Sequence, residues 1–226
     1  MADNFESAVI TRRAESVWAT NAVLRNTYFL LSLTLIFSSA CAWFSTVSNA
    51  PQLNIFITLI LMYGLMFLTM RLKNSIWGIP CIFLFTGFMG YLLGPMLNYY
   101  LHNYINGGEL IMTAVGTTGV VFLALSGYVL TTKKNFNFLS GFIFAGCITG
   151  IVLMVASIWI HTTGLQLAIS GVFSLLSCAM ILYHTSAIVN GGERNYIMAT
   201  VSLYIALFNL FTSLLQIFGA FSGNRN

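Results

Sequence analysis

Apolar residues run along this chain in seven stretches, at 27–49, 53–70, 76–100, 110–132, 137–160, 164–189 and 196–221, separated by short polar connections. None holds an Asp, Glu, Lys or Arg in its interior. Each is near the roughly 20 residues that an α-helix needs to cross the hydrocarbon core of a bilayer. The pattern predicts an all-α membrane protein with seven transmembrane helices in one bundle. On these boundaries residues 1–26 are a polar N-terminal arm, 27–221 the transmembrane domain and 222–226 a short tail. The arm has scattered apolar positions (Val9, Ile10, Val17, Trp18, Val23) but no strong amphipathic stripe, and is expected to be flexible. The run that follows it is too long for the apolar core of a secretory signal.

Within the last two runs the polar positions are ordered. In the seventh, Ser202, Ala206, Asn209, Ser213, Gln216 and Ala220 recur at steps of four and three, so they share one helical stripe. In the sixth, Ser170, Ser174, Ser177 and His184 do the same. The turn Asn190-Gly191-Gly192-Glu193-Arg194-Asn195 joins the two. Such paired stripes can be a pathway, a packing seam or a surface read by a partner.

Composition sharpens this picture. Hydrophobic residues make up 58% of 226 and charged residues 6%, too few to keep that much apolar surface soluble. The net charge of +4 is therefore no nucleic-acid signal; its placement carries the information. Arg12, Arg13 and Arg25 precede the first run, Arg71 and Lys73 follow the second, Lys133 and Lys134 the fourth, and Arg194 the sixth. These are alternate connections. The intervening ones, including His161-Thr162-Thr163-Gly164, hold no Lys or Arg. Basic residues are retained on the cytoplasmic side, so the N-terminus is expected in the cytoplasm and the C-terminus in the periplasm. Only Arg225 falls outside the pattern, and a re-entrant seventh run, giving six spans, would bring it inside.

Small residues mark where helices can approach. Gly87, Gly90 and Gly94 lie in the third run, Gly116, Gly119 and Gly127 in the fourth, Gly141, Gly146 and Gly150 in the fifth, and packing is the expected role of nearly all. Gly94-Pro95 differs, because proline removes a helix hydrogen bond and frees a carbonyl. A kink or break is expected there, either lining a cavity or bending the helix.

Catalytic constellations are missing. The runs hold no carboxylate pair for aspartyl proteolysis and no H-E-x-x-H for zinc, and His102, His161 and His184 lie on separate segments. Ser126-Gly127 with His184 resembles a serine–histidine dyad superficially, but Ala124 replaces the first glycine of the G-x-S-G pattern, and the Ser126 hydroxyl is expected to bond its own helix. The seventh run has no lysine for a retinal Schiff base. Cys41, Cys81, Cys147 and Cys178 sit inside apolar runs without metal-ligand spacing. The chain is read as a non-enzyme without cofactor or metal. His184 is the one ionisable nitrogen on the two stripes and is a candidate proton sensor, against the plainer role of a hydrogen-bonded or interfacial histidine.

The stretches 24–35 (LRNTYFLLSLTL), 62–69 (MYGLMFLT), 85–95 (FTGFMGYLLGP), 126–134 (SGYVLTTKK) and 191–197 (GGERNYI), leading into Ala199-Thr200-Val201-Ser202-Leu203-Tyr204, carry a resemblance over essentially the whole chain. The sequence resembles the Bax inhibitor-1 family (also called TMBIM), and within it the YccA-like branch of bacterial inner-membrane proteins. Gly94-Pro95, Ser202-Leu203-Tyr204 and Asn209 are the family-level features. The resemblance implies a seven-helix bundle with the last helix central. It implies a role as slowly degraded substrate and modulator of the membrane-anchored AAA metalloprotease FtsH and the membrane complex around it. The alternative it implies is the pH-sensitive calcium leak of another branch, in which two carboxylates face each other. The matching positions here are His184, after Leu182-Tyr183, and Ala206, four residues after Ser202. Calcium takes six to eight oxygen ligands, carboxylates prominent among them, and a histidine with an alanine offers none. That departure weakens the leak mechanism and leaves His184, Ser202, Asn209 and Gln216 as a candidate polar core.

Overall fold

The computed structural model describes residues 2–160 and 162–222, with side chains described from Ala22 onward. His161 and Arg225 lie outside the described residues. Among the described residues every regular element is helical: α1 (Ala2–Val47), α2 (Ile55–Leu72), α3 (Gly78–Asn103), α4 (Gly107–Thr132), α5 (Leu139–Ala156), α6 (Thr163–Val189) and α7 (Tyr196–Phe221). All seven are long and apolar enough to cross a membrane, the qualifying part of α1 being Ala22–Val47. At 26 residues α7 extends about 39 Å, a full span, so the six-span reading with a re-entrant last run falls away. The expected arm, residues 1–26, is occupied from Ala2 onward by α1, which runs without interruption into the first span.

The helix ends follow the residues placed there. Asn54, Thr162 and Asn195 act as N-caps, Asn195 Oδ1 accepting from the amides of Ile197 and Met198. α4 ends at Lys133 in the left-handed conformation, φ 51°. After α6 the chain reverses through Gly191 at φ 74°, where a side chain would be strained.

Burial is reversed from that of a soluble protein at the rim and ordinary at the centre. Phe29, Ile36, Phe56, Ile60, Val120 and Leu123 are exposed apolar side chains along membrane-length helices, as expected where the solvent is hydrocarbon. α2 packs chiefly on α3 and α5 chiefly on α6, and each contributes a single buried residue, Thr69 and Gly150. α7 packs against α1, α3, α4 and α6 and buries twelve residues, among them Leu203, Tyr204, Ala206, Leu210 and Leu215. The closest pairing is α1 with α3. A Cβ added to Gly90 would collide with the backbone carbonyl of Ser38, and one added to Gly94 with the side chain of Ser45. These two glycines, a helical turn apart, are what lets α1 lie directly on α3.

The other glycines divide. Gly146 and Gly150 of α5 face Leu176 and Phe173 of α6 closely, as packing predicts. Gly116, Gly119, Gly127 and Gly141 have open space where a Cβ would stand. For these four the expectation of close helix packing is corrected: they share the spacing of contact glycines, but no neighbour stands within contact distance of a Cβ, and Gly119 faces the open space of a cavity.

Candidate functional site

The polar contacts of α7 are made by residues on more than the expected stripe. Tyr204, 1% exposed, projects from α7 between α1 and α3. Its hydroxyl lies 2.6 Å from Ser38 Oγ and donates to the Thr86 carbonyl at 3.1 Å. Because the tyrosine proton is used toward Thr86, Ser38 is the donor to Tyr204, and a relay runs from α1 through α7 to α3. The ring packs edge-on against Phe85. One turn earlier Thr200 Oγ1 lies 2.7 Å from the Tyr196 carbonyl and 3.3 Å from the Thr27 carbonyl of α1. Sequence reasoning missed Tyr204 as a site residue because a tyrosine counts among the apolar positions of a span. The available signal was that a buried phenol must find a partner.

The predicted core residues are placed as follows. Gln216 is exposed rather than in the core, and its Oε1 accepts from Ser170 Oγ at 2.7 Å, linking α7 to α6 at the edge of the bundle. Ser202 and Asn209 are half-buried on α7, and Ser213 is buried. Ala206 is fully buried, packed with Ile181 and Leu210. His184 is half-buried, its ring edge-on to Tyr183 with centroids 5.2 Å apart. Only Ser170 and Gln216 are thus brought into a direct bond between the two stripes. Ser177 instead bonds its own helix, at the Phe173 carbonyl. Ser126 Oγ lies 3.5 Å from Thr185 Oγ1, a contact between α4 and α6. The expectation that this serine satisfies itself on its own helix is corrected, and its partner is the neighbour of His184 rather than His184. Among the described residues no three His, Cys, Asp or Glu side chains converge as a metal site would require.

At Gly94-Pro95 the helix neither breaks nor unwinds: α3 is continuous from Gly78 to Asn103. The carbonyl that Pro95 leaves without its amide belongs to Tyr91, and Ser45 Oγ of α1 donates to it at 2.8 Å. The expected break is therefore replaced by a repair across the α1–α3 contact. Three residues on, Asn98 Nδ2 donates to the Thr46 carbonyl at 2.9 Å. Ser45→Ala is expected to cost about 1 kcal/mol, and the cost should shrink in a Pro95→Ala background, where the helix amide returns. Unfolding midpoints of the two single variants and the double variant in mixed micelles would check it. Strict additivity of the two would rule out the repair.

A cavity of about 630 Å³ does exist, but elsewhere. It lies between α1, α3, α4 and α7, walled by side chains such as Leu35, Trp43, Leu97, Met112 and Phe211, with Ser38 and Tyr204 at its edge. His184, Ser202, Asn209, Gln216, Gly94 and Pro95 are not among its lining residues.

One end of the bundle is tied by its connections. Asn195 Nδ2 donates to the Lys73 carbonyl at 3.0 Å and to Asn74 Oδ1 at 2.8 Å, docking the α6–α7 turn on the α2–α3 loop. The amide of Phe136 donates to Ser186 Oγ at 2.9 Å, and Ser186 Oγ approaches the Lys134 carbonyl at 3.1 Å, tying the α4–α5 connection to the end of α6.

Seven membrane-length helices around a small set of buried hydroxyl and amide contacts define a polytopic membrane protein. A family model described as "Inhibitor of apoptosis-promoting Bax1" matches residues 20–223, and the chain belongs to that family, the Bax inhibitor-1 family. It is 54% identical over 218 residues, 96% of each chain, to a protein of Pseudomonas aeruginosa. It is 52% identical over 204 residues, 90% of this chain and 92% of the relative, to a protein of Escherichia coli K12 named "Modulator of FtsH protease YccA". The same identity and coverage hold for a protein of Escherichia coli O6:H1 named "Inner membrane protein YccA". The chain is a multi-pass inner-membrane protein of this family.

Proposed function

We propose that this protein is a modulator of the membrane-anchored AAA protease FtsH, acting by binding within the membrane rather than by chemistry. The observation that carries this reading is the 52% identity, over 90% of the chain, to the E. coli protein named for that role. The distribution of basic residues supports a cytoplasmic N-terminus and a periplasmic C-terminus. The packing of α7 against four other helices supports a structural role for it as the hub of the bundle. In that setting Ser202, Asn209 and Gln216 belong to a packing seam, and His184 is the one residue on it that could respond to protons. A leak pathway through these residues gains no support from the cavity, which they do not line, and the family carboxylates are replaced by His184 and Ala206. The segment ahead of the first span is where a cytoplasmic protease motor would grip. The test is co-purification from native membranes in mild detergent: FtsH should be recovered with the full chain. Recovery no greater than with an unrelated seven-span protein of equal abundance would sink the proposal. Deleting residues 2–20 should leave the bundle folded and slow its turnover in cells several-fold, measured by a chase after synthesis is stopped. Unchanged turnover in a strain with active protease would place the grip elsewhere.

A further inference from the structure

We infer that the pocket between the α2–α3 loop and the α6–α7 turn binds the phosphate headgroup of an anionic phospholipid. The pocket holds about 400 Å³ and is walled by Lys73 and Arg194 with the amides of Asn74 and Asn195. It exists because Asn195 reaches across to the Lys73 carbonyl and the Asn74 side chain. That bridge brings two cations from distant parts of the chain to one concavity. No carboxylate is among the lining residues. The acid next in sequence, Glu193, has Oε1 engaged by the Asn195 backbone amide at 2.8 Å.

The chemistry of the walls selects the ligand. An ammonium, a guanidinium and the Asn74 side-chain amide are donors suited to phosphate oxygens, the guanidinium offering a planar fork, while both Asn195 amide hydrogens are taken up by the bridge itself. α3 and α7 both begin at the pocket, so the positive ends of their dipoles add to the field. Ser75 and Tyr196 complete the lining, and an apolar edge is present as well: Ile76, 84% exposed, and Ile79 stand at the same rim, with the exposed indole of Trp77 beside them. A soluble phosphate has no use for that rim. A phospholipid does, because its glycerol and upper acyl carbons follow directly on the phosphate. The pocket also lies at the ends of membrane-length helices, at headgroup depth, where aromatic and basic side chains concentrate. The occupant is therefore a lipid phosphate, held in the leaflet on the side of the bundle that carries Arg71, Lys133 and Lys134. This inference does not depend on the protease reading.

The experiment is lipid retention by the purified full chain in detergent micelles, read by native mass spectrometry with phosphatidylglycerol, phosphatidylcholine or inorganic phosphate added. Phosphatidylglycerol should be retained preferentially over phosphatidylcholine. The pair Lys73→Gln and Arg194→Gln should weaken that preference roughly tenfold or more. The pair Lys133→Gln and Lys134→Gln, equal in charge and at the same end, should leave it within twofold. Lys73→Arg with Arg194→Lys, which preserves charge, should keep most of it. Equal losses in the two glutamine pairs, or loss in the charge-preserving pair, would overturn the site. Competition by inorganic phosphate at lipid-like concentrations would overturn the lipid as its ligand.

Discussion

Gly90→Ala is expected to destabilise the bundle by about 3 kcal/mol, a large effect for one methyl group. The added carbon would collide with the Ser38 carbonyl, which belongs to the backbone of α1 and cannot rotate away. The two helices would have to separate along their closest contact. Ser38 would then be drawn away from Tyr204, so the polar relay would be lost along with the packing. Gly87→Ala is a milder change, because the atoms it meets are the ring of Phe37, which can tilt. Gly119→Ala meets nothing and should be within about 0.5 kcal/mol of the parent, with alanine the better helix former. The three unfolding midpoints, measured in micelles of rising denaturing-detergent fraction, should fall in that order. If Gly90→Ala and Gly119→Ala behave alike, the α1–α3 approach is not what holds these helices together.

Tyr204→Ala is expected to cost about 3–5 kcal/mol, the usual range for emptying a buried aromatic site. The ring fills the space between Phe85 and Phe208 at the centre of the largest apolar cluster. Tyr204→Phe separates the hydroxyl from the ring. It leaves packing intact but removes the acceptor of Ser38 and the donor to Thr86, at a cost of about 1 kcal/mol in a bilayer-like medium. Ser38→Ala removes the other end of the same relay. In a double-mutant cycle Ser38→Ala should cost less on the Tyr204→Phe background than on the parent. A coupling of zero would mean that the two hydroxyls meet without stabilising each other. Because Ser38 and Tyr204 stand at the edge of the cavity between α1, α3, α4 and α7, the same variants would report whether the relay shapes that space.

The seven spans were legible because crossing a bilayer is a demand on composition alone: about 20 apolar residues without charge suffice, whatever their neighbours. α2, α3, α4, α6 and α7 came out within about three residues of their apolar runs for that reason. α5 is shorter than its run, ending at Ala156, beyond which the amides of Ile158 and Trp159 close tighter turns on Val155 and Ala156 instead of extending the helix. Periodicity gave the stripe on α7 but not its partners. Ser170 and Gln216 do meet, whereas Ser126 turns to Thr185, a residue with no sequence signature to mark it. Proline chemistry correctly pointed to a freed carbonyl in α3. That Ser45 would be waiting for it 46 residues earlier in the chain could not be read from α3.

The sequence by itself determined the membrane class, the number of spans, the clustering of basic residues on alternate connections and the absence of acids at His184 and Ala206. Each is a property of residue type and order, and lipid sorts residues by type. Tertiary structure decided which glycines are contacts, since Gly90 and Gly119 are chemically identical and only Gly90 has a neighbouring backbone in contact with it. It also decided that Tyr204 is a polar link, that α3 continues through Pro95 without a break, and that Lys73 and Arg194 share a pocket. These outcomes depend on pairwise distances between helices. In a bilayer, where every outward face is equally apolar, hydropathy contains no record of which helix lies beside which.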